Sequence, residues 1–383
     1  MIIIRVSVRG RLGRAESTRQ NTRQSSPAEG GGFWDRDLVR CSQPAPAVAV
    51  AHLLSTSRTG SGHCRCSPSR EVVMAIIPFH IVDAFATHPF TGNPAAIIPN
   101  ASSLTEVEML QITDELSMEA AFVLPPTTPG ADVRLRFFTR RLEANLSGHA
   151  AVAAFVSLAD RGFYRPGHET VAIGLETGVG VLPVKLRNIA DGHIQVTLEM
   201  PPPRFGEPVP ATEVATALGV DPDMLHLGEQ GPQRVSCGFD QIIVPVGIRE
   251  VIRGSFQDAV AIGRLTDRRG VGGLTLFCPN THRGDADFHC RFFQPKMGHY
   301  EDVASGTSLA AMSAYVVRNG ILPAARSTTI TTEQGHSLGR PTMAELQVQS
   351  DSGGIRRITL TGTGRVVMRG SFHFSRKMRA AAY

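Results

Sequence analysis

The feature that most constrains the fold of this 383-residue chain is an internal repeat. One stretch begins at Gly148 with Gly-His-Ala-Ala-Val-Ala-Ala-Phe and ends at Gly162, and a second begins at Gly306 with Gly-Thr-Ser-Leu-Ala-Ala-Met and ends at Gly320. Each copy follows an Arg-Phe-Phe strand pattern and a polar loop. Such a unit cannot bury its apolar face alone, so the repeat predicts a duplicated lobe. Small residues along both helices suit burial inside a curved sheet. We therefore predict an α+β fold of two pseudo-symmetric lobes, each a curved sheet wrapped around a central helix.

Composition divides the chain into a leader and a body. Residues 1–73 hold eleven Arg, no Lys and five acidic residues, a surplus of six positive charges, so the net charge of +5 leaves the remainder at minus one. A leader rich in Arg, Ser, Gly and Pro buries little apolar surface, so we expect it to be disordered or to act as a transit peptide. We favour a true start at Met74, which predicts a cytoplasmic body, whereas a transit peptide would predict a mitochondrial one. We expect lobes over 76–190 and 200–330, with C-terminal strands over 355–373 that return to the first lobe.

The same composition argues against several classes of protein. The body is not basic and has no Lys/Arg run interleaved with aromatics, which speaks against a nucleic-acid partner. No apolar run approaches the roughly 20 residues that a membrane helix needs, so we expect no membrane span. Cys237, Cys278 and Cys290 lack metal-ligand or redox spacing, and we interpret them as reduced, packed thiols.

We expect neither a metal nor an organic cofactor. Six histidines of the body are interpreted as scattered through mostly polar loops, with no H-x-x-x-H arrangement. These are His168, His193, His226, His282, His289 and His299.

A candidate acid/base residue lies at a junction between a helix and a strand. The spacing of Ser103 and Glu106 is that of a capping box, and it predicts a helix over 104–116. Glu119 follows this helix and comes directly before the apolar segment 120–124. Such a carboxylate is either a solvated cap or a group whose partial burial raises its pKa toward neutrality. In the second case it can take a proton from carbon and return it elsewhere on the same face.

The repeated helix starts predict an anion site. If the lobes face each other, the free N–H groups after Gly148 and Gly306 converge on one cleft, which suits a small carboxylate and the charge that develops on it. His149 is either a hydrogen-bond donor or proton shuttle, or a helix residue bonded to a neighbouring loop. Asp302 is either a partner for an imidazole or a substrate amine, or an acid that complements the helix dipole. Thr307 is either a ligand hydroxyl or an ordinary first-turn residue.

Several motifs in a fixed order carry a family resemblance over 76–372. They are Val82-Asp83-Ala84-Phe85, Phe90-Thr91-Gly92-Asn93-Pro94, Ser117-Met118-Glu119-Ala120-Ala121-Phe122-Val123, Phe138-Thr139 with Glu143, Gly148-His149, Phe293-Gln294-Pro295, Glu301-Asp302-Val303-Ala304-Ser305-Gly306-Thr307, Glu333-Gln334-Gly335 and Gly339-Arg340-Pro341. Together they resemble the PhzF-like (phenazine biosynthesis-like) isomerase family. The resemblance implies a diaminopimelate-epimerase-like fold with the active site between the lobes. It further implies cofactor-free acid/base isomerisation, a small-molecule carboxylate substrate and a homodimer.

The resemblance also implies roles for individual residues. Glu119 matches the catalytic carboxylate, and His149 and Asp302 match its supporting polar residues. The implied substrate-binding residues are Ser147, Gly148, Gly306 and Thr307. The family's Gly-His-Pro-Thr is Gly-His-Ala-Ala here, and its Asp-Pro-Ala-Thr-Gly-Ser is Asp-Val-Ala-Ser-Gly-Thr. The loss of helix-start Pro and of one Thr points to a different substrate.

Two rival functions stay open at this point. A two-base racemase or epimerase of the same fold uses paired cysteines, but Ser147 stands where one is expected and no Cys occurs between Arg291 and Gly320. One-carboxylate epimerisation of an amino or hydroxy acid, through Glu119 and another acid, remains open. The other rival is a non-catalytic family member that binds a small molecule or a protein, against which the retained Glu119 argues.

Overall fold

The computed structural model describes residues 72–167, 169–189, 192–254, 258–297, 300–323 and 325–377. Nearly all of the predicted leader therefore lies outside the described residues, as do His168 and His299. Of the described part, 77–370 make one compact unit, and the strand ends 72–76 and 371–377 belong to another.

The described part alternates strands with short helices. The strands are β1 Val72–Ala84, β2 Asn93–Ile98, β3 Ala120–Leu124, β4 Val133–Phe138, β5 Glu143–Ala144, β6 Val171–Thr177, β7 Gly180–Asn188, β8 Ile194–Glu199, β9 Arg204–Pro208, β10 Gln233–Ser236, β11 Asp240–Pro245, β12 Gly273–Cys278, β13 Phe288–Phe293, β14 Glu301–Asp302, β15 Ser327–Gln334, β16 Thr342–Asp351, β17 Gly354–Gly362 and β18 Gly364–Lys377. The helices are α1 Glu106–Leu116, α2 Gly148–Asp160, α3 Ala211–Leu218, α4 Arg249–Arg253, α5 Ala259–Arg269 and α6 Gly306–Arg318. Single 3₁₀ turns cover Pro222–Met224 and His336–Leu338.

The order of strand pairing is the same in the two lobes. In the first lobe β1 is antiparallel to β2, β2 parallel to β3, β3 antiparallel to β4, and β4 parallel to β6, which continues antiparallel through β7 to β8. In the second lobe β10 to β13 and β15 to β17 repeat each of these pairings in the same order and direction. The predicted α+β fold of two pseudo-symmetric lobes is therefore confirmed.

The two sheets join through one strand pair and exchange their outermost strands. β8 pairs antiparallel with β17, and across this seam the hydroxyls of Thr197 and Thr361 lie 3.0 Å apart. β9 leaves the first lobe to pair with β10, and β18 leaves the second to pair with β1.

The predicted boundaries need correction at three places. The first lobe continues past 190 to Glu199, and the second continues past 330 to Gly362, because in each lobe the last strands form a meander that ends at the seam. β1 begins at Val72, so it includes the last two residues of the predicted leader.

The core of each lobe surrounds one helix. In α2 the eleven residues from Gly148 to Leu158 are all buried, and in α6 the same holds from Gly306 to Val316. A helix buried on every side must lack a polar face, and small residues let sheet strands approach it closely. None of the described helices is long and apolar enough to cross a membrane.

The helix α1 begins two residues later than the predicted capping box places it. Thr105 is the N-cap, and its backbone N–H donates to Glu108 Oε2 at 2.8 Å while the Glu108 N–H donates back to Thr105 Oγ1 at 3.3 Å. The predicted pair, Ser103 and Glu106, has the same spacing but is wrong. Leu104, between the two candidate N-caps, is buried, and its N–H donates to the Ala101 carbonyl at 2.9 Å. This bond closes a turn before the helix, so the helix starts after Leu104.

The cysteines and one histidine illustrate what burial does to titration. Cys237, Cys278 and Cys290 are buried and free, as expected of packed thiols, and burial raises the pKa of Cys237 to about 12.

His80 on β1 is also buried, with Nδ1 2.9 Å from Ser157 Oγ on α2. Burial, with Arg161 and Arg369 nearby, lowers its pKa to about 4, so the folded protein holds a neutral imidazole.

Candidate active site

The two buried helices begin against each other. A Cβ added to Gly148 would lie 2.8 Å from Gly306 Cα, and one added to Gly306 would lie 2.9 Å from Gly148 Cα. Ser147 caps α2 by accepting from the Ala150 N–H at 3.4 Å, and Ser305 caps α6 through the Ser308 N–H at the same distance. Two helix N-termini, each with a partial positive charge, therefore meet at one place.

Glu119 points its carboxylate to this place from the first lobe. The C-cap of α1, Ser117, has a left-handed backbone (φ 53°), and it turns the chain toward β3. The Glu119 carbonyl accepts from the Ala96 N–H at 2.9 Å, which fixes the residue at the edge of β3. Its side chain is only 9% exposed, and Oε2 lies 3.5 Å from Nε2 of His149, itself 5% exposed. The solvated-cap alternative for Glu119 is therefore wrong.

Asp302 reaches the same place from the second lobe. Asn93, 209 residues earlier, donates to Asp302 Oδ1 and to the Ala304 carbonyl, both at 2.8 Å. Gln334 donates to the Asp302 carbonyl at 2.9 Å. The buried carboxylate is thus held in position by an amide from the opposite lobe.

A cavity of about 40 Å³ lies at the meeting point. Six of the seven predicted site residues line it, namely Glu119, Ser147, Gly148, His149, Asp302 and Thr307. Gly306 does not line the cavity but lies against Gly148, which does. Three further lining residues, Phe239, Gln294 and Met297, were not predicted as site residues, and neither was Asn93, which holds Asp302. Among the described residues, none that lines this cavity is Lys or Arg, so helix N–H groups are the available positive partners for an anion.

The strand register shows which site residues are equivalent between the lobes. His149 corresponds to Thr307, and each lies near the capping hydroxyl two residues before it, at 3.4 Å from Ser147 and 3.3 Å from Ser305. Ala120 and Leu274 occupy matching positions opposite the two Arg-Phe-Phe strands. The counterpart of Glu119 is therefore Gly273.

Aromatic rings fill the space that a second acid would need. A Cβ on Gly273 would lie 2.5 Å from the Phe292 ring and 2.9 Å from the Phe293 carbonyl. The Phe239 ring packs as closely against the neighbouring Gly272. The duplicated fold thus carries a carboxylate at this position in one lobe and has no room for any side chain at it in the other.

Comparison with known proteins agrees with this architecture. A family model described as "Phenazine biosynthesis-like protein" matches residues 82–370. The uncharacterized isomerase YfhB of Bacillus subtilis is 31% identical over 286 residues, which cover 73% of this chain and 93% of that protein. The trans-2,3-dihydro-3-hydroxyanthranilate isomerase of Pseudomonas fluorescens is 25% identical over 76% of this chain and 97% of its own length. A crystal structure of a PhzF-family phenazine biosynthesis protein from Bacillus anthracis matches at a TM-score of 0.69 and 25% identity, over 79% of this chain and all of that one.

The fold, the site and these relatives define an enzyme of the isomerase class. The chain belongs to the phenazine biosynthesis-like protein family, as its motifs indicated.

Proposed function

We propose that this enzyme isomerises a small carboxylate-bearing metabolite without a cofactor, and that Glu119 moves the proton. The observation that carries the proposal is the nearly buried Glu119 carboxylate, 3.5 Å from His149 Nε2, beside two converging helix N-termini. A desolvated carboxylate can act as a base, and the imidazole and helix N–H groups supply donors where negative charge develops.

The chemical step balances within the substrate. Glu119 takes a proton from a carbon activated by the substrate's carboxyl group, and the electron pair of the C–H bond moves into the conjugated system. The protonated Glu119 carboxyl then returns the proton to another carbon on the same face of the substrate, and the protein ends in its starting state. His149 positions the Glu119 carboxylate and stabilises whichever protonation state it holds.

The aromatic filling of the Gly273 position favours this single-carboxylate route. A two-base epimerase needs an acid on each face of the substrate carbon, and the second lobe has a glycine packed against Phe292 at the position equivalent to Glu119. The carboxylate that this lobe does bring to the cavity, Asp302, already accepts a hydrogen bond from Asn93. Epimerisation of an amino or hydroxy acid is therefore the less favoured alternative.

The polar groups of the cavity favour a substrate with a carboxylate and a hydrogen-bond donor. The carboxylate pairs with the N–H groups at the starts of α2 and α6. The Asp302 carboxylate, fixed by Asn93, faces the same cavity and suits an amine or a hydroxyl. Phe239 and Met297 supply an apolar wall for a small ring or chain.

The cavity must widen when substrate enters. Its volume of about 40 Å³ is far below the roughly 300 Å³ and more of typical small-molecule sites. We expect the lobe rims to separate to admit substrate and to close again around it, which would exclude water from the proton transfer.

Deuterium uptake tests the proposal. The full-length chain is incubated in D2O with a panel of cyclic and amino carboxylic acids, and products are analysed by mass spectrometry. The panel includes trans-2,3-dihydro-3-hydroxyanthranilate, the compound in the name of the Pseudomonas fluorescens relative. We expect uptake at one carbon by wild type, and a loss of at least about 100-fold in the Glu119→Gln variant. Glu115→Gln is the matched control, because Glu115 is an exposed carboxylate in the last turn of α1, and this variant should keep full activity.

The outcomes separate the alternatives. Uptake with formation of the mirror-image substrate would favour epimerisation. Equal uptake by wild type and Glu119→Gln would remove Glu119 from the mechanism. Tight binding of a panel compound without uptake would favour the non-catalytic member of the family. The homodimer stays a prediction, which sedimentation velocity of the full chain checks.

A further inference from the structure

A second polar cluster lies in the second lobe, outside the cavity described above. One ligand atom from each of His282, His289 and Glu333 lies within 4.8 Å of the other two. His289 on β13 and Glu333 on β15 are buried, and His289 Nδ1 lies 3.0 Å from Glu333 Oε1. His282 lies in the loop after β12 and is exposed, so the cluster opens to solvent. The prediction that the six histidines are scattered through mostly polar loops is therefore wrong for His289, which lies on a strand, and for its separation from His282, which does lie in a loop.

The first lobe holds the same carboxylate without the imidazoles. Glu176 accepts the backbone N–H groups of Thr127 and Thr128 at 2.5 and 3.0 Å. Glu333 accepts those of His282 and Arg283 at the same two distances. The carboxylate thus braces this loop in both lobes, and in the first lobe the Thr127 hydroxyl and Arg134 Nε, 3.6 Å away, contact it as well.

The histidines are an addition specific to the second lobe. By the strand register, Arg134 is the first-lobe counterpart of His289. Thr127 is the counterpart of His282 by its backbone N–H bond to the equivalent carboxylate. At these positions the first lobe sets a guanidinium and a hydroxyl against its carboxylate, neither of which binds a metal ion there, whereas the second lobe sets two imidazoles against Glu333.

A third imidazole completes the cluster. The His336 ring stacks on that of His282 with centroids 4.4 Å apart and an angle of 8°, and its Nε2 is 3.8 Å from Glu333 Oε2. Its Nδ1 is buried and has no hydrogen-bond partner among the described residues. His336 therefore adds a third imidazole against the ring of His282, although its atoms are not among the three that converge.

We propose that His282, His289 and Glu333 bind one divalent transition-metal ion, and that Zn²⁺ fits this ligand set best. Imidazole nitrogen and carboxylate oxygen bind zinc at about 2.0–2.2 Å, so two ligand atoms of a tetrahedral site lie about 3.3 Å apart. The His289–Glu333 separation of 3.0 Å is close to this value, and the exposed His282, whose ligand atom lies within 4.8 Å of the other two, must approach by up to about 1.5 Å. Glu333 neutralises half of the ion's charge, and His336 packs against the ring of one ligand.

The positive charge of Arg253 should weaken metal binding, so its removal tests whether the affinity for the ion rises. Arg253 Nη2 lies 2.8 Å from His282 Nδ1 and 3.2 Å from His282 Nε2, so it stands against whichever ring nitrogen carries the lone pair and adds a positive charge at the opening of the site. Metal binding must displace this guanidinium. Replacing Arg253 with an uncharged residue should therefore strengthen binding.

The expected role of the ion is structural. It would fasten the loop after β12 to β15, one residue before Gln334, whose side chain supports the Asp302 carbonyl. The site does not depend on the proposed reaction, and metal binding is measured without substrate.

Cobalt titration of the full-length chain tests the site. Cys41, Cys64 and Cys66 of the leader are replaced by Ser, so that thiols cannot compete for metal. Co²⁺ is added and followed by its visible d–d absorption, and Zn²⁺ then displaces it. We expect one equivalent to bind with no thiolate-to-cobalt charge-transfer band.

Three variants decide the assignment. His282→Ala changes an exposed side chain, so the fold should be kept while affinity falls by at least about 100-fold. Arg253→Gln should raise the affinity severalfold, and His226→Ala, at an exposed histidine outside the cluster, should leave it unchanged. Absence of stoichiometric Co²⁺ and Zn²⁺ binding by wild type, or equal affinities for wild type and His282→Ala, would overturn the proposal.

Discussion

The contact between the two helix starts makes a sharp prediction about a single methyl group. In Gly306→Ala the new Cβ would lie 2.5 Å from Leu360 Cδ2 and 2.9 Å from Gly148 Cα. Ordinary carbon contacts are about 3.5–4.0 Å, so the two helix starts must separate by about 0.5 Å or more. The Leu360 side chain can adjust, but the Gly148 backbone cannot move without carrying α2 with it.

The size of the effect follows from two opposing terms. Forcing an extra methyl into a well-packed core costs about 1–3 kcal/mol. Replacing Gly by Ala within a helix gains up to about 1 kcal/mol, and less at a first helical position such as this one. We therefore expect Gly306→Ala to lower the free energy of unfolding by about 1–3 kcal/mol and to displace the proposed site residues on both lobes.

A helical glycine with room for a methyl is the matched control. Gly263 lies inside α5, and its added Cβ would meet nothing closer than Pro295 Cγ at 3.8 Å. Gly263→Ala should therefore stabilise the protein by up to about 1 kcal/mol. Urea unfolding of the full chain, with deuterium uptake as the activity measurement, compares the two variants. A Gly306→Ala protein as stable as Gly263→Ala would refute the close contact of the helices.

Further predictions use the symmetry and burial of other groups. Glu301→Ala should cost about 3 kcal/mol or more because its arginine pair is 6–8% exposed, whereas Glu143→Ala, in the more exposed equivalent pair of the first lobe, should cost about 1 kcal/mol or less; urea unfolding compares them. The lowered pKa of buried His80 contributes stability that is fully present above about pH 6.5 and is lost as pH falls toward 4, because the unfolded chain then binds the proton that the folded one refuses. The contribution is about 3 kcal/mol, so His80→Asn should flatten the fall of unfolding free energy over that pH range, and an unchanged slope would assign the titration elsewhere. Asn93→Leu removes one hydrogen-bond donor from the Asp302 carboxylate and should lower the free energy of unfolding by about 1–3 kcal/mol. The variant that remains folded should still take up deuterium more slowly than wild type, and uptake at the wild-type rate would contradict the positioning role.

Local chemistry made much of the fold predictable. A glycine followed by a run of small residues has few uses other than a buried helix, and its recurrence after the same strand pattern indicated two lobes. The overlapping capping boxes show the limit of this reasoning, because Ser103 and Thr105 satisfy the same rule. The burial of Leu104 decides between them, and burial is a property of the whole fold.

The site was predictable where it lies near a motif, and not where it depends on distant contacts. Glu119 and His149 stand beside recognisable helix ends, and their approach to 3.5 Å follows from the way the elements pack. The Asn93–Asp302 hydrogen bond spans 209 residues, and no periodicity predicts it. The filling of the Gly273 position by Phe292 is equally invisible, because the sequence alone gives no register for the two strands involved.

The exchange of outer strands between the lobes has a consequence for how the chain is made. β1 emerges early from the ribosome, but its partner β18 begins only at Gly364. Until then β1 has one open edge, of the kind that pairs with other chains. Contacts of such long sequence separation also slow folding. The first lobe is therefore completed only after the second has been synthesised, and one edge of β1 stays open to pairing with other chains until β18 has been made.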